Sequence, residues 1–397
     1  MESKNKLDSV KIRCYNSDNL TMLSLLLSTY YGEKGMRKFM KVLAVLVGIV
    51  LVAIIGCVLA IIFSSKGEIE PFYNEDGEVL EGSVAERVFV DINGRTNGMI
   101  IRGRNDDNPV LLFISGGPGV PQYWLNEHYD NKIEDYFTVC WWDYYGEGLS
   151  YDPALLSEDI TLDQLEQDAI AVTEYLKDRF GKDKIYLMAH SGGSMLGLRL
   201  AQNDPDNFYC YFAMGQSVGT CYERCEASYP YLKEYFESTG NQKGLNIIGK
   251  YVKEENGEIV TYNKEGVQRD WENALLLAGC ATTREMRSDC FGIFFPQMFS
   301  KCYTMKEKIN FWKGKALCQS SSYAETTISM DQEQAAQIPV YFISGRYDYT
   351  CPVNQVEEFY KYLEAPEKEM YIFENSAHSP LWEENEAVLE AMLKHVK

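Results

Sequence analysis

The stretch Leu187-Met188-Ala189-His190-Ser191-Gly192-Gly193-Ser194 decides how this chain is read. It closes a run of strand length, Lys184 to Ala189, and precedes a helical pattern from Met195 to Asn203. A serine on a tight strand-to-helix turn exposes its oxygen, and the helix N-terminus aimed at it favours developing negative charge. Ala189, Gly192 and Gly193 are the small residues such a turn needs, since bulk there clashes with strand or helix. Ala189 stands where the pattern glycine-x-serine-x-glycine has its first glycine, a difference of one methyl. The competing reading is a glycine-rich loop with an idle serine.

On either side of this turn, runs of strand length alternate with helical patterns. The runs are Arg87 to Ile92, Met99 to Arg102, Val110 to Ile114, Phe137 to Trp142, Lys184 to Ala189 and Phe208 to Met214. The first two meet through Asn93-Gly94 and read as a hairpin; the later ones are continuous apolar runs, as central parallel strands are. Thr161 to Phe180 places Leu162, Leu165, Ala169, Val172 and Leu176 on one helical face, with Thr161 and Gln164 suited to a capping box. Such alternation predicts the α/β class, a mostly parallel sheet with helices on both faces. From about residue 215 to 337 the pattern turns helical, with a Gly-rich polar interval near Asn241 to Gly257, which reads as a cap over the sheet's active edge. Strand and helix return with Val340 to Ser344, a helix near Val353 to Leu363, Met370 to Phe373 and a last helix from Glu383.

A nucleophilic serine needs a base, and the chain has four histidines. His128 lies in a predicted helical loop, His190 points away if Ser191 points up, and His395 is in a frayed C-terminus. That leaves His378, directly after a core strand. Asp348, after the preceding strand, can orient His378 and stabilise its charged form; the order Ser191, Asp348, His378 suits a triad at strand ends. Gly192 supplies one backbone N–H to an oxyanion. The loop Ser115-Gly116-Gly117-Pro118-Gly119, after the third core strand, supplies another through Gly117 or Gly116.

The chain has 397 residues, enough for a full core, and carries 38 Lys and Arg against 58 Asp and Glu, a net charge of −20. That balance argues against nucleic acid as a partner. Val42 to Phe63 is a run of 22 residues without a charge; as a helix it extends ~33 Å, enough for a ~30 Å hydrocarbon layer. Lys34, Arg37, Lys38 and Lys41 precede it and Glu68 and Glu70 follow, so the positive-inside rule puts the N-terminus in the cytoplasm and the large domain outside. Competing readings are a buried core helix, a secretory signal starting near Met36 with residues 1–35 as an extension, and a lipoprotein box that leaves Cys57 lipidated. The organisation expected is a cytoplasmic segment (1–41), a transmembrane anchor (42–63), a stalk (64–83), a core (84–214 and 338–397) and a helical cap (215–337).

Of eleven cysteines, Cys14 and Cys57 lie at or before the anchor, and Cys221, Cys225, Cys280, Cys290, Cys302 and Cys318 fall in the cap stretch. Disulfides are chemically open to an exported domain, but six cysteines allow 15 connectivities. Cys221 and Cys225 have no second pair at matching spacing, so no metal site is expected.

From about residue 84 onward the chain resembles the α/β-hydrolase superfamily, and within it the proline iminopeptidase branch. The carriers are Ser115-Gly116-Gly117-Pro118-Gly119, Asp143-Tyr144-Tyr145-Gly146-Glu147-Gly148-Leu149-Ser150 and Gly345-Arg346-Tyr347-Asp348. The resemblance implies a cofactor-free serine hydrolase with a substrate-selecting cap, acting as an aminopeptidase on short peptides with N-terminal proline. Three positions depart from the branch: Ser115 replaces histidine, Tyr145 replaces arginine, and Gly192 replaces the usual tryptophan. Cap glutamates hold the substrate's amino terminus in that branch; this cap has Glu223, Glu226, Glu234 and Glu237, none in a matching motif. A carboxylesterase on small acyl esters and a surface binding module without turnover are the other readings.

Overall fold

The structure is a computed structural model that describes residues 18–129, 131–329 and 334–397, with side chains from residue 34 except Met36. Residues 1–17 of the segment expected in the cytoplasm, with Cys14, and residues 330–333 of the cap lie outside the described residues. The chain divides into two compact units, residues 1–63 and 64–397.

The described residues of the first unit belong to one helix, α1 (Asp18–Ser64), whose 28 residues from Arg37 are long and apolar enough to cross a membrane. It begins well before the apolar run at Val42, because no proline interrupts residues 18–41. Most of its apolar side chains are exposed, Val45 and Val52 among them.

In the second unit an eight-stranded sheet comprises β1 (Val84–Ile92), β2 (Arg95–Gly103), β3 (Val110–Ile114), β4 (Thr138–Asp143), β5 (Ile185–His190), β6 (Phe208–Met214), β7 (Val340–Gly345) and β8 (Lys368–Phe373). Their order across the sheet is β1-β2-β4-β3-β5-β6-β7-β8. Only β2 runs antiparallel to its neighbours; every other pair is parallel. Asn93 and Gly94 both take positive φ, 53° and 78°, the backbone that a two-residue hairpin turn requires.

The helices that cover this unit are α2 (Leu162–Phe180), α3 (Ser194–Asn203), α4 (Cys221–Ser238), α5 (Gln242–Gly249), α6 (Val267–Ala278), α7 (Met305–Gln319), α8 (Val353–Tyr362) and α9 (Asn385–Leu393). Alternate residues of each central strand feed opposite faces. Leu112, Ile114, Leu187 and Ala189 pack with α2, α3 and α8, whereas Leu111, Phe113, Tyr186 and Met188 pack with Trp382 and α9.

The Thr161 hydroxyl caps α2 by accepting from the Gln164 N–H at 3.1 Å. The reciprocal half of the expected capping box is absent. Gln164 Oε1 accepts from Arg95 (3.0 Å) and its amide donates to Asp168 (2.9 Å), a buried carboxylate that also accepts from Asn93 (2.7 Å).

Between β6 and β7 the cap builds a core of its own from Cys225, Leu232, Phe236, Ile248, Trp271 and Leu275. The Gly-rich polar interval holds α5 and then opens into a β-hairpin, Val252–Glu255 with Glu258–Thr261. The turn is again Asn-Gly, with Asn256 and Gly257 at positive φ. The ten described cysteines carry free thiols, so none of the six cap cysteines is bridged.

Residues 64–83, expected as a stalk, instead lie along the domain. Lys66 bridges Thr304, the Glu68 N–H donates to Lys301 O, and Phe72 is buried under the Arg102 guanidinium at 4.0 Å. An aromatic at 72 gives this polar segment something to bury.

Several carboxylates are buried without a cation to match. Burial pushes Asp143 up to about 7 against the Leu149 N–H and the Tyr303 hydroxyl, burial and then Asp143 push Glu147 up, and burial pushes Glu383 up to about 7. A carboxyl whose folded pKa lies above its unfolded value gains stability as pH falls through the folded value. His190 and His395, held below the ordinary histidine range by burial, oppose this only below pH ~6.5. Melting temperature is therefore expected to rise by a few degrees from pH 8 to pH 6.5, each such carboxyl contributing on the order of 1 kcal/mol. A flat or falling Tm over that window refutes the assignment, and Glu383→Gln should remove part of the slope.

Candidate active site

Ser191 follows β5 directly, in a single turn (Ser191–Gly193) that leads into α3. Its φ is 54°, the left-handed region that non-glycine residues avoid, and this aims the side chain out of the turn. The glycines around it are required by contact. A Cβ at Gly193 would come within 2.2 Å of Ser115 O, and one at Gly192 within 2.7 Å of Gly117 O. The methyl of Ala189 is accommodated because Gly197 of α3 faces it: a Cβ at 197 would lie 2.7 Å from Ala189 Cβ. The missing glycine of the motif has thus moved from the strand to the helix.

His378 lies in the loop after β8 and Asp348 in the loop after β7. His378 Nδ1 donates to Asp348 Oδ2 at 2.8 Å, and Asp348 Oδ1 accepts from the N–H groups of Thr350 (3.0 Å) and Cys351 (2.8 Å). With Nδ1 donating, Nε2 presents its lone pair. Nε2 is buried and has no hydrogen-bond partner among the described residues. The structure therefore brings Asp348 and His378 together and leaves the Ser191 to His378 bond unmade, as happens in apo sites where that contact tightens only with substrate. The Ser191 hydroxyl lies in reach of the Cys351 thiol, which burial and the nearby Asp348 carboxylate push up to about 12.

Three supporting residues went unread in the sequence. Gly215, at φ 54° just after β6, lies against the pair: a Cβ there would meet His378 Cε1 at 2.9 Å and Asp348 Oδ2 at 3.3 Å. His190 does point away from the turn, and its inward position has a use. Its Nε2 donates to His378 O at 2.7 Å, while the Gln122 amide donates to its Nδ1 at 2.6 Å. Gln122 Oε1 in turn accepts the Gly116 N–H at 3.1 Å. Burial, then the neighbouring His378, holds His190 well below its ordinary range, so it is a neutral strut. The signal for Gly215 was a glycine ending a continuous apolar strand; the Gln122 contact, across 68 residues, left none.

The remaining histidines are elsewhere. His128 ends the short helix Trp124–His128 on the surface. His395 is ordered rather than frayed, stacked on Tyr341 at 3.5 Å and hydrogen-bonded to the Tyr371 hydroxyl at 2.9 Å. Of the four cap glutamates noted in the sequence, Glu223 completes the capping box of α4 and Glu226 accepts from the Thr261 N–H. Glu234 and Glu237 are exposed.

Two further cap carboxylates, Glu272 on α6 and Asp289, are exposed to solvent on one side but surrounded by protein on the other. Burial raises Glu272, Asp289 raises it further, and Lys315 and His378 act against both. Asp289 is likewise raised by burial and lowered by Lys315. Neither carboxylate makes an ion pair within 4 Å among the described residues. Helix α7, which carries Lys315, is wedged onto the Gly119 loop, where a Cβ at Gly119 would meet Lys315 Cα at 2.9 Å.

Residues 109–385 match the family model for the alpha/beta hydrolase fold. A probable aminopeptidase of Bacillus subtilis (strain 168), YbaC, is 31% identical over 323 residues, 79% of this chain and 97% of that protein. A proline iminopeptidase of Saccharolobus solfataricus is 25% identical over 304 residues, 73% of this chain and 85% of the relative. The crystal structure of a proline iminopeptidase from Mycobacterium smegmatis superposes with a TM-score of 0.54 at 14% identity, over 78% of this chain and 98% of that one. The sheet order, the strand-end turn and these likenesses agree: the chain belongs to the α/β-hydrolase superfamily, near its proline iminopeptidase branch.

Proposed function

We propose that the protein is a serine aminopeptidase that removes N-terminal residues, proline foremost, from short peptides, tethered by α1 with its catalytic domain outside the cytoplasm. The observation that carries the peptidase reading is the likeness to a probable aminopeptidase over 97% of that protein's length. The cap also carries Glu272 and Asp289, whose charged forms burial makes costly and Lys315 eases, so together they favour a ligand that brings a positive charge. A peptide's ammonium terminus is such a charge, held near the carbonyl to be attacked. A neutral acyl ester brings none.

In this reading His378 Nε2 takes the Ser191 proton as Oγ attacks the first carbonyl, and Asp348 stabilises the imidazolium. The oxyanion is received by the Gly192 N–H and the Gly117 N–H. Gly116 is excluded as a donor because Gln122 already engages its N–H. The leaving amine takes the proton from His378, and water then releases the acyl group. No cofactor or metal enters any step. Lys34, Arg37, Lys38 and Lys41 before the apolar run support a cytoplasmic N-terminus.

Labelling of the full-length protein by a fluorophosphonate is expected, with Ser191→Ala and His378→Ala both unlabelled; labelling that survives Ser191→Ala removes Ser191 as nucleophile.

Glu272→Gln should raise KM for a proline arylamide ~10-fold or more, spare kcat, and leave turnover of an acyl ester unchanged. Because burial and Asp289 raise Glu272, its charged form is lost at a pH above the usual carboxylate range. KM for the arylamide should climb as pH falls, and the Gln variant should flatten that climb. Esters cleaved while the arylamide is untouched would favour the carboxylesterase reading.

Gln122→Ala should lower kcat with little change in KM, since it loosens His190 and the Gly116 loop without touching substrate. A KM effect alone would contradict a positioning role.

A further inference from the structure

The cap segment Cys290–Phe299, CFGIFFPQMF, has no charged residue and runs helically as one turn of π-helix followed by α-helix. Ten residues are too few to span a bilayer but suit a segment lying in its interface. Phe291 is 75% exposed, and Phe294 and Phe299 are also exposed. Phe295 stacks between Phe291 (5.7 Å) and Phe299 (6.3 Å), and Phe294 packs on Trp312 at 5.4 Å. A row of stacked phenylalanines facing out marks a contact surface rather than scattered surface hydrophobes.

Its surroundings identify the contact. Buried Lys308 donates to Met298 O (2.7 Å) and to the hydroxyls of Ser64 (3.2 Å) and Ser65 (3.0 Å). Lys66 pairs with Thr304, and the Glu68 N–H donates to Lys301 O at 3.1 Å. The first residues after the apolar run are thus bonded to the segment that follows Phe299. If the run crosses a bilayer, covalent connection puts Ser64 at its surface, and Lys308 ties that residue to Met298, next to Phe299. The charge there also suits lipid. In a chain of net charge −20, residues 300–319 hold five lysines and one glutamate, with Lys301, Lys306 and Lys313 exposed.

We infer that Phe291, Phe294, Phe295 and Phe299 seat the catalytic domain in the outer headgroup layer of the bilayer, with Lys301, Lys306 and Lys313 meeting anionic headgroups. This rests on the tethered reading above.

The test uses the full chain in vesicles of phosphatidylethanolamine and phosphatidylglycerol, with p-benzoylphenylalanine placed singly at Phe291, Phe299, Val50 and Phe89. All four side chains are exposed, so the replacements are tolerable. Irradiation is expected to give lipid adducts at 291, 299 and 50, several-fold above those at 89 on β1. Adducts at 50 with none at 291 and 299, or adducts there to a second copy of the chain, overturn the seating and leave the anchor standing. Absence of lipid adducts at 50 overturns the anchor and the seating with it.

Discussion

The constraint on which the site depends is the close approach of backbones at the end of β5. With Ser191 held at φ 54°, the turn reaches the loops after β3 and β6 only where side chains are absent. Gly193 sits against Ser115 O, Gly192 against Gly117 O, and Gly215 against the His378 ring. A left-handed non-glycine residue costs on the order of 1 kcal/mol or more, and it persists because the surrounding strands leave the turn no other path. The central strands are buried on both faces, which makes that path rigid.

A second layer of order comes from neutral and anionic groups kept out of water. Gln122, His190 and the His378 carbonyl form one chain of hydrogen bonds that joins the glycine loop to the histidine loop. Glu383 accepts from the N–H groups of Ala377 (2.8 Å) and Arg284 (2.6 Å), and so fastens the histidine loop to the cap. The His378 N–H itself donates to Ala281 O of the cap at 3.2 Å. Cap and core are therefore coupled through the backbone of the proposed base, and a shift of the cap on substrate entry is felt at His378.

The cap combines two surfaces of opposite character. At one, Glu272 and Asp289 leave negative charge in excess of Lys315. At the other, the run after Asp289 is aromatic and then lysine-rich, in a domain that is otherwise acidic.

Much of this was legible from residue order. The alternation of strand and helix, the Ser191 turn, the loops carrying Asp348 and His378, and the hairpin at Asn93-Gly94 are local signals, in which a residue's type states the backbone it favours. The apolar helix was equally plain, since being long and apolar enough to span is a matter of length and charge. What tertiary structure decided depended on distant partners. Asp168 drew Gln164 away from its cap, Gly197 made room for Ala189, and Phe72 laid the expected stalk along the domain. Of the glutamates noted in the sequence, Glu223 caps α4, Glu226 accepts from the Thr261 N–H, and Glu234 and Glu237 lie at the surface. A side chain's periodicity says which face it occupies. Only the packed neighbours determine whether that face meets water, another charge or the reacting group, because desolvation and Coulomb energies depend on distance in space.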